Sequence, residues 1–394
     1  MIEILYFLRK YFNIWKEENM NKIKILATAV VLSFCTSTMA FAQGNTLDID
    51  SLISNNIDST YKVKNADISI RQAQNSYNKA VKNAGSSGSQ LNGDLSSSER
   101  YQLMKTIANA PKEAKFSIYK YTNEKEVAKN EVKLAAYTEY QTVMNSKDSL
   151  DLQQQEFSNA EEQYKSAQLK LNLGIMSQAD VKQAEISYYD AKAQLNKAQR
   201  EYDLQIMNLN KVFDIDVYVK YDVLLKDKIT ESPYIRSYDD YVNDALKNRA
   251  EILNNQENIN LQKFEFNIIR GVYPSKYDAM YKIGQYNVEQ ANDTLDLNKI
   301  TITTEINNLY NDLQVKSKML DSKKDTFALA QRNYDTALAK YNAGVLSKID
   351  FDSQSVNLKS AQNDLKSLQR DIWMAQFKLN LACGIGSDTS KIIN

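Results

Sequence analysis

The chain lacks most of what catalytic and metal sites are built from. It has 394 residues but no histidine, which removes the commonest general base and metal ligand. Its two cysteines, Cys35 and Cys383, lie far apart and outside any C-x-x-C pair, so neither a disulfide framework nor a zinc site is predicted. We interpret Cys383 as a small apolar residue near a helix end. No carboxylates pair convincingly in a predicted pocket, so we predict that the protein is not an enzyme and has no cofactor.

Helix breakers and net charge are scarce as well. Three prolines and ten glycines are very few for this length and favour long helices. The 49 basic residues balance the 49 acidic ones, and no basic stripe with interleaved aromatics occurs, which argues against a nucleic-acid partner. After the N-terminal segment, no apolar run approaches the roughly 18 residues of a transmembrane helix.

The N-terminal segment has the pattern of an export signal. From Met20 it reads MNKIKILATAVVLSFCTSTMAFAQG, with two lysines, a short apolar core and an A-x-A cleavage site. We therefore predict a signal peptide over residues 1–42, with residues 1–19 upstream of the true start, and a mature chain that begins at Gln43. The expected location is the cell envelope: the outer membrane or periplasm if the organism has them, otherwise the cell surface.

Two short segments share the same pattern of a glycine, two apolar residues and an S-x-x-D sequence. Residues 170–181 read KLNLGIMSQADV, and residues 340–351 read KYNAGVLSKIDF. Set in this register, the two halves of the chain match without gaps, which indicates duplication of one unit. The matched pairs include Phe157 with Phe327, Tyr164 with Tyr334, Gly174 with Gly344, Ser177 with Ser347, Asp180 with Asp350, Leu195 with Leu365, and Gln199-Arg200 with Gln369-Arg370.

The repeated unit is a helical hairpin. On both sides of each shared segment, apolar residues recur in alternating steps of three and four, which is the a/d pattern of a coiled coil. Gly174 suits the left-handed position after a helix, and Ser177 with Asp180 forms an S-x-x-D box that starts the next helix. About 60 residues before Gly174 predict an arm of roughly 90 Å.

The predicted fold is therefore all-α. Two repeats, about 43–225 and 236–394, each contribute one long antiparallel hairpin. Each repeat opens with a helix, over residues 49–80 and 238–269, and residues 214–225 alternate like a short strand.

These features resemble the TolC family of outer-membrane efflux proteins. The resemblance covers essentially the whole mature chain and rests on the duplication, on the opening segment NDALKNR, and on the two hairpin turns of pattern G-[IV]-[ML]-S-x-x-D. It implies a homotrimer whose hairpins form a helical tunnel for efflux or secretion. Its partners would be a periplasmic-type adaptor (membrane fusion protein) and an inner-membrane transporter.

In that family the hairpin turns are the tips that dock with the adaptor. The resemblance therefore assigns a docking role to Gly174, Ile175, Met176, Ser177, Asp180, Gly344, Val345, Leu346, Ser347 and Asp350. A purely structural role is equally open from the residues alone. Met176 and Leu346 can pack onto the following helix, and Ile175 and Val345 can cover the preceding helix end.

Members of that family carry two strands of a β-barrel in each half, between the opening helix and the long helix. The chain departs from the family at both of these positions. Residues 83–114 are rich in Gly and Ser, so we expect them to bury no core, and residues 270–293 read as a turn followed by a helix. From this we expect no β-barrel. The alternative function is accordingly a structural or interaction coiled-coil protein of the envelope that has lost the channel.

Overall fold

The structure, a computed structural model, describes residues 45–386, so the predicted signal peptide lies outside the described part. The elements of this part follow in the order β1 (Thr46–Asp48), α1 (Ile49–Asn56), α2 (Tyr61–Ser87), α3 (Ser97–Met104), α4 (Ala110–Asn172), α5 (Gln178–Val212), β2 (Val223–Leu225), α6 (Tyr238–Asn248), α7 (Ala250–Val272), α8 (Ala279–Asn342) and α9 (Lys348–Cys383). The predicted all-α fold with a minor β element is confirmed.

Two long helical hairpins dominate the fold. Helices α4 and α5 form the first, and α8 and α9 form the second, each joined at a predicted glycine turn. Helix α4 has 63 residues and α8 has 64, which corresponds to about 95 Å at 1.5 Å per residue. Such lengths are possible because no glycine or proline interrupts the a/d pattern near the middle of either helix.

Each half has its own hydrophobic core. The first core joins β1, α1 and the start of α2 to the middle of α4 and the end of α5, with Leu134, Tyr140 and Leu209 fully buried nearby. The second joins α6 to α8 and α9 around Ile306, Leu313 and Ile372. Cys383 is buried at the end of α9, where burial raises the pKa of its thiol to about 11. This confirms its interpretation as an apolar residue.

The β element is shorter than predicted. Only residues 223–225 of the alternating segment form a strand, which pairs in parallel with β1 so that Thr46 lies opposite Val223. Residues 214–222 turn instead, beginning at Asp214 with a φ of 55°. The hydroxyl of Tyr140 donates to the carbonyl of Leu225, which fixes β2 to α4.

The opening helix of each half is broken once, which the sequence reading missed. Thr60 separates α1 from α2, and Arg249 separates α6 from α7; both have extended backbones, with ψ of 145° and 136°. After each break, the first backbone N–H donates to an oxygen near the far end of the same half. Tyr61 N donates to Asp214 Oδ2 at 2.7 Å, and Ala250 N donates to the carbonyl of Ile385 at 2.9 Å.

Residues 83–114 and 270–293 are mainly helical. Residues 273–278 form a turn between α7 and α8, as predicted. Residues 83–114 contain the end of α2, all of α3 and the start of α4. The expectation that this segment buries nothing is wrong for Tyr101, which is 7% exposed and donates through its hydroxyl to Glu265 Oε1 at 2.9 Å.

Candidate partner-docking site

The two hairpin turns have the same backbone geometry. Gly174 and Gly344 have φ of 74° and 73°, in the left-handed region that glycine adopts without strain. Ile175 N donates to the carbonyl of Lys170 at 2.9 Å, and Gly174 N donates to that of Leu171 at 2.9 Å. These two bonds define a Schellman turn, and Val345 and Gly344 repeat them. The sequence correctly predicted both turns.

The serine after each turn caps the next helix, as predicted. Ser177 Oγ accepts from Asp180 N at 3.1 Å, and Ser347 Oγ accepts from Asp350 N at 3.2 Å. Each serine hydroxyl also donates to its aspartate Oδ2 at 2.7 Å. The aspartates therefore hold the capping serines in place and add negative charge at the positive ends of α5 and α9.

Between glycine and serine, one apolar side chain points into solvent. Ile175 is 70% exposed and Val345 is 74% exposed, so neither covers the preceding helix end. Met176 and Leu346 are half-buried, which agrees with packing onto their own helices. Leu346 lines a shallow cleft of about 340 Å³ together with Lys340 and Asp350. The ten predicted residues thus form two equivalent polar caps, each with an exposed apolar residue.

Aromatic side chains brace each hairpin behind its tip, a feature the sequence reading did not assign. In the first hairpin, Tyr188 contacts Phe157 and Tyr164, with both ring centroids 5.6 Å from its own. In the second, Phe351 contacts Tyr334 at 5.5 Å and stacks on Tyr341 at 5.1 Å. The repeat keeps the layer but not its positions, because Tyr188 corresponds to Leu358. The recurrence of aromatic residues at a/d positions of the coiled-coil pattern was the signal in the sequence that could have predicted these contacts.

An ion pair joins the start of α9, just after the second turn, to helix α4 of the first hairpin. Lys348 Nζ lies 3.2 Å from Glu162 Oε2 in the first hairpin and 2.7 Å from Asp352 Oδ1 on its own helix. The hydrogen bond that Lys348 donates to Asp352 is the main reason that the pKa of Lys348 is raised. The start of α9 is thereby held against α4, about three helical turns before Gly174. Periodicity within one helix could not reveal this contact, since its partners are 186 residues apart.

In the part of the chain that the structure describes, no group of three or more Cys, Asp or Glu side chains could hold a metal ion. Within residues 45–386, no helix is both long and apolar enough to cross a membrane.

Comparisons with known proteins agree with this geometry. Residues 275–384 match the family described as "Outer membrane efflux protein". The resemblance to the TolC family is confirmed. No curated protein matches the chain by sequence.

Solved structures extend the likeness to nearly the whole TolC-like chain. The CmeC outer membrane channel of Campylobacter jejuni is 16% identical, with a TM-score of 0.62, covering 92% of this chain and 93% of its own. The outer membrane protein VceC of Vibrio cholerae is 13% identical, with a TM-score of 0.60, 86% of this chain and 96% of its own. The MtrE outer membrane channel of Neisseria gonorrhoeae is 11% identical, with a TM-score of 0.55, 86% and 89%. At such identities, the likeness establishes the fold.

Proposed function

We propose that the protein is an exported, TolC-like efflux or secretion conduit component of the cell envelope rather than an enzyme. Several copies would form a helical tunnel, and the hairpin tips would dock with a membrane adaptor and its transporter. The observation that carries this proposal is the pair of identically capped turns, each with an exposed apolar residue, on the fold of an outer membrane channel.

Self-assembly is supported by the way the two hairpins pack within one chain. Helix α9 of the second hairpin packs against α4 of the first, and we call this contact the internal seam. Because the halves are repeats, α5 corresponds to α9 and α8 corresponds to α4. If the same contact continues from chain to chain, α5 of one copy packs against α8 of the next. We call this the external seam, and three copies closing the ring would reproduce the family's trimer.

The faces that would meet at the external seam carry large apolar side chains that are exposed in the single chain. Leu204 on α5 is 48% exposed, whereas its repeat equivalent Met374 on α9 is 6% exposed. On α8, Val315 and Leu329 are 58% and 54% exposed. Large apolar residues spaced along one face, rather than scattered singly, are typical of a surface covered by a partner. A second copy is the partner that fits this geometry.

Assembly is tested by the mass of the mature protein in solution, measured by light scattering. We expect a trimer, and we expect Leu329→Glu to shift it toward the monomer, because the substitution places a charge in the apolar seam. Tyr277→Glu is the control, since Tyr277 is 91% exposed in the turn between α7 and α8. A wild-type chain that stays monomeric at all concentrations would leave the structural coiled-coil function instead.

Docking is tested by replacing the four apolar tip residues, Ile175, Met176, Val345 and Leu346, by serine. Binding of a purified adaptor of the membrane fusion type should weaken at least tenfold, while the circular dichroism spectrum stays helical. Tyr218→Ser removes another exposed apolar side chain far along the chain and should leave adaptor binding unchanged. Equal adaptor affinity for the four-serine variant and the wild type would refute docking through the tips.

A further inference from the structure

The internal seam is held by polar contacts along the length of the hairpins. These contacts are Lys348 to Glu162 at 3.2 Å, Gln155 Nε2 to Ser355 Oγ at 2.7 Å, Asn363 Nδ2 to the carbonyl of Asp148 at 2.9 Å, and Gln141 Nε2 to the carbonyl of Arg370 at 2.6 Å. They connect α4 and α9 from the tip to the middle of the hairpins. Separating the two hairpins of one chain would break all of them.

Arg370 adds a buried ion-pair network to these connections. Its side chain is 1% exposed, and its Nη2 lies 2.7 Å from Asp148 Oδ2 on α4 and 2.7 Å from Asp227 Oδ2 in the segment after β2. Its Nη1 donates to Asn145 Oδ1 at 2.7 Å. One buried cation therefore joins α9, α4 and the connection between the two halves. Charge-assisted bonds of this kind are about twice as strong as neutral ones.

The repeat register places like charges where the internal seam has complementary groups. Arg370 corresponds to Arg200, and its partner Asp148 corresponds to Lys318, so two cations would meet across the external seam. Ser355 and Gln155 correspond to Glu185 and Asp325, so two carboxylates would meet nearer the tips. Arg200, Lys318 and Asp325 are exposed in the single chain. Glu185 is half-buried and is paired with Lys182 of its own helix at 2.7 Å, so the pair of Arg200 with Lys318 provides the main repulsion.

We propose that the external seam is the weak, salt-sensitive joint of the assembled ring, and that the two hairpins of one chain move as a single unit. This inference rests on the proposed ring. At the external seam, apolar contacts provide the attraction and like charges oppose it. At the internal seam, hydrogen bonds and ion pairs hold the helices together. Opening of the tunnel between chains therefore breaks fewer directional contacts than opening within a chain.

The sign of the salt effect follows from the charges. Added salt shortens the screening length from about 30 Å at 0.01 M to about 3 Å at 1 M. Screening weakens repulsion between like charges, so association of the wild-type chains should become several-fold tighter as NaCl rises. An assembly held across the same seam by opposite charges would show the reverse.

Charge reversal tests the pairing of Arg200 with Lys318. Lys318→Glu and Arg200→Glu each convert the pair to opposite charges, so each single variant should associate several-fold more tightly than wild type at low salt and lose this gain at high salt. The double variant restores a like-charge pair and should return toward wild type. A general effect of net charge would instead change steadily from wild type through the single variants to the double. Sedimentation equilibrium of the mature protein measures each affinity.

Matched cysteine pairs test whether the ring forms, independently of how strong its external seam is. In a Cys383→Ser background, Gln155→Cys with Ser355→Cys should form a disulfide within one chain at the same rate in low and high salt. Glu185→Cys with Asp325→Cys should link neighbouring chains. Removal of two carboxylates changes that seam, so its salt response is read only from the charge-reversal variants above.

The outcomes are distinguishable. If the Glu185→Cys, Asp325→Cys chain never forms covalent oligomers on non-reducing gels, the ring with this register is wrong, and the inference falls with it. If covalent trimers form but charge reversal leaves association and its salt dependence unchanged, the ring stands and the weak external seam is refuted. Trimers together with the predicted reversal of the salt effect would support both.

Discussion

The guanidinium of Arg370 and the carboxylate of Asp227 form a bidentate ion pair, with Nε 2.8 Å from Oδ1 and Nη2 2.7 Å from Oδ2. The two residues are 143 positions apart in the chain. Burial would lower the pKa of Arg370, but the hydrogen bonds that it donates to Asp227 and its ion pair with Asp148 outweigh this effect, and the pKa is raised. The arginine therefore stays charged while it joins the second hairpin to the middle of the chain.

Loss of this cation should be costly. Arg370→Met keeps the length of the side chain but leaves Asp227 and Asp148 without their counter-charge, so we expect the free energy of unfolding to fall by about 3 kcal/mol. Arg200→Met is the matched control, because Arg200 occupies the same repeat position and is exposed; its effect should stay within about 0.5 kcal/mol. Urea unfolding of the dilute protein measures both. Equal effects would mean that Arg370 is not a structural centre.

The left-handed turns predict a conformational cost for alanine. A Cβ at Gly174 or Gly344 meets no atom within 4 Å, so Gly174→Ala and Gly344→Ala should each destabilise by about 1 kcal/mol through backbone strain alone. Gly271→Ala provides the control. Gly271 lies in α7, its added Cβ also meets no atom within 4 Å and its φ is not positive, so the substitution should be neutral or stabilise by up to about 1 kcal/mol. A similar loss at all three sites would rule out this explanation.

Proline should distinguish the interior of α5 from its first turn. Leu195→Pro removes a backbone donor and clashes with the preceding turn, so it should cost about 3 kcal/mol and lower the melting temperature. Gln178→Pro places proline at the first position after the Ser177 cap, where the ring matches the backbone and the effect should be small. Thermal melts followed by circular dichroism compare them. An unchanged melting temperature for Leu195→Pro would mean that Leu195 is outside a packed helix.

Acid should release the segment between the halves from the N-terminal strand. Hydrogen bonding from Lys226 lowers the pKa of Asp48. Burial acts to raise the pKa of Asp50, but bonds from Lys228 and Tyr137 outweigh it and the pKa is lowered. Carboxyls with a lowered folded-state pKa stabilise the fold above their unfolded pKa of 3.8 and lose this contribution as pH falls through the folded value.

This linkage can be measured by urea unfolding between pH 6 and pH 3. The wild type should lose stability at the acid end, and Asp48→Asn with Asp50→Asn should be less stable at pH 6 and flatter toward pH 3. Asp94→Asn, in an exposed loop, removes one carboxylate without a lysine partner of this kind and should follow the wild-type curve. Parallel curves for the double variant and the wild type would contradict the role of these ion pairs.

The sequence alone determined the hairpins and their turns, because helix periodicity and capping are local properties. Gly174 and Ser177 satisfy backbone groups within a few residues of themselves, so their roles can be read from spacing. The same local rules missed the breaks at Thr60 and Arg249. At those positions, the N–H that follows is satisfied by Asp214 or by Ile385, far along the chain.

The tertiary structure decided which of two equivalent residues in the repeats is buried and which is exposed. Gln199-Arg200 and Gln369-Arg370 are identical dipeptides at the same place in the repeat, yet Arg370 is buried in an ion-pair network and Arg200 is exposed. The difference lies in the neighbours, since α9 packs against α4 of its own chain, whereas among residues 45–386 no helix of the second hairpin packs in the same way against α5. A repeat gives two copies of a surface, but a single chain brings only one of them against a partner helix.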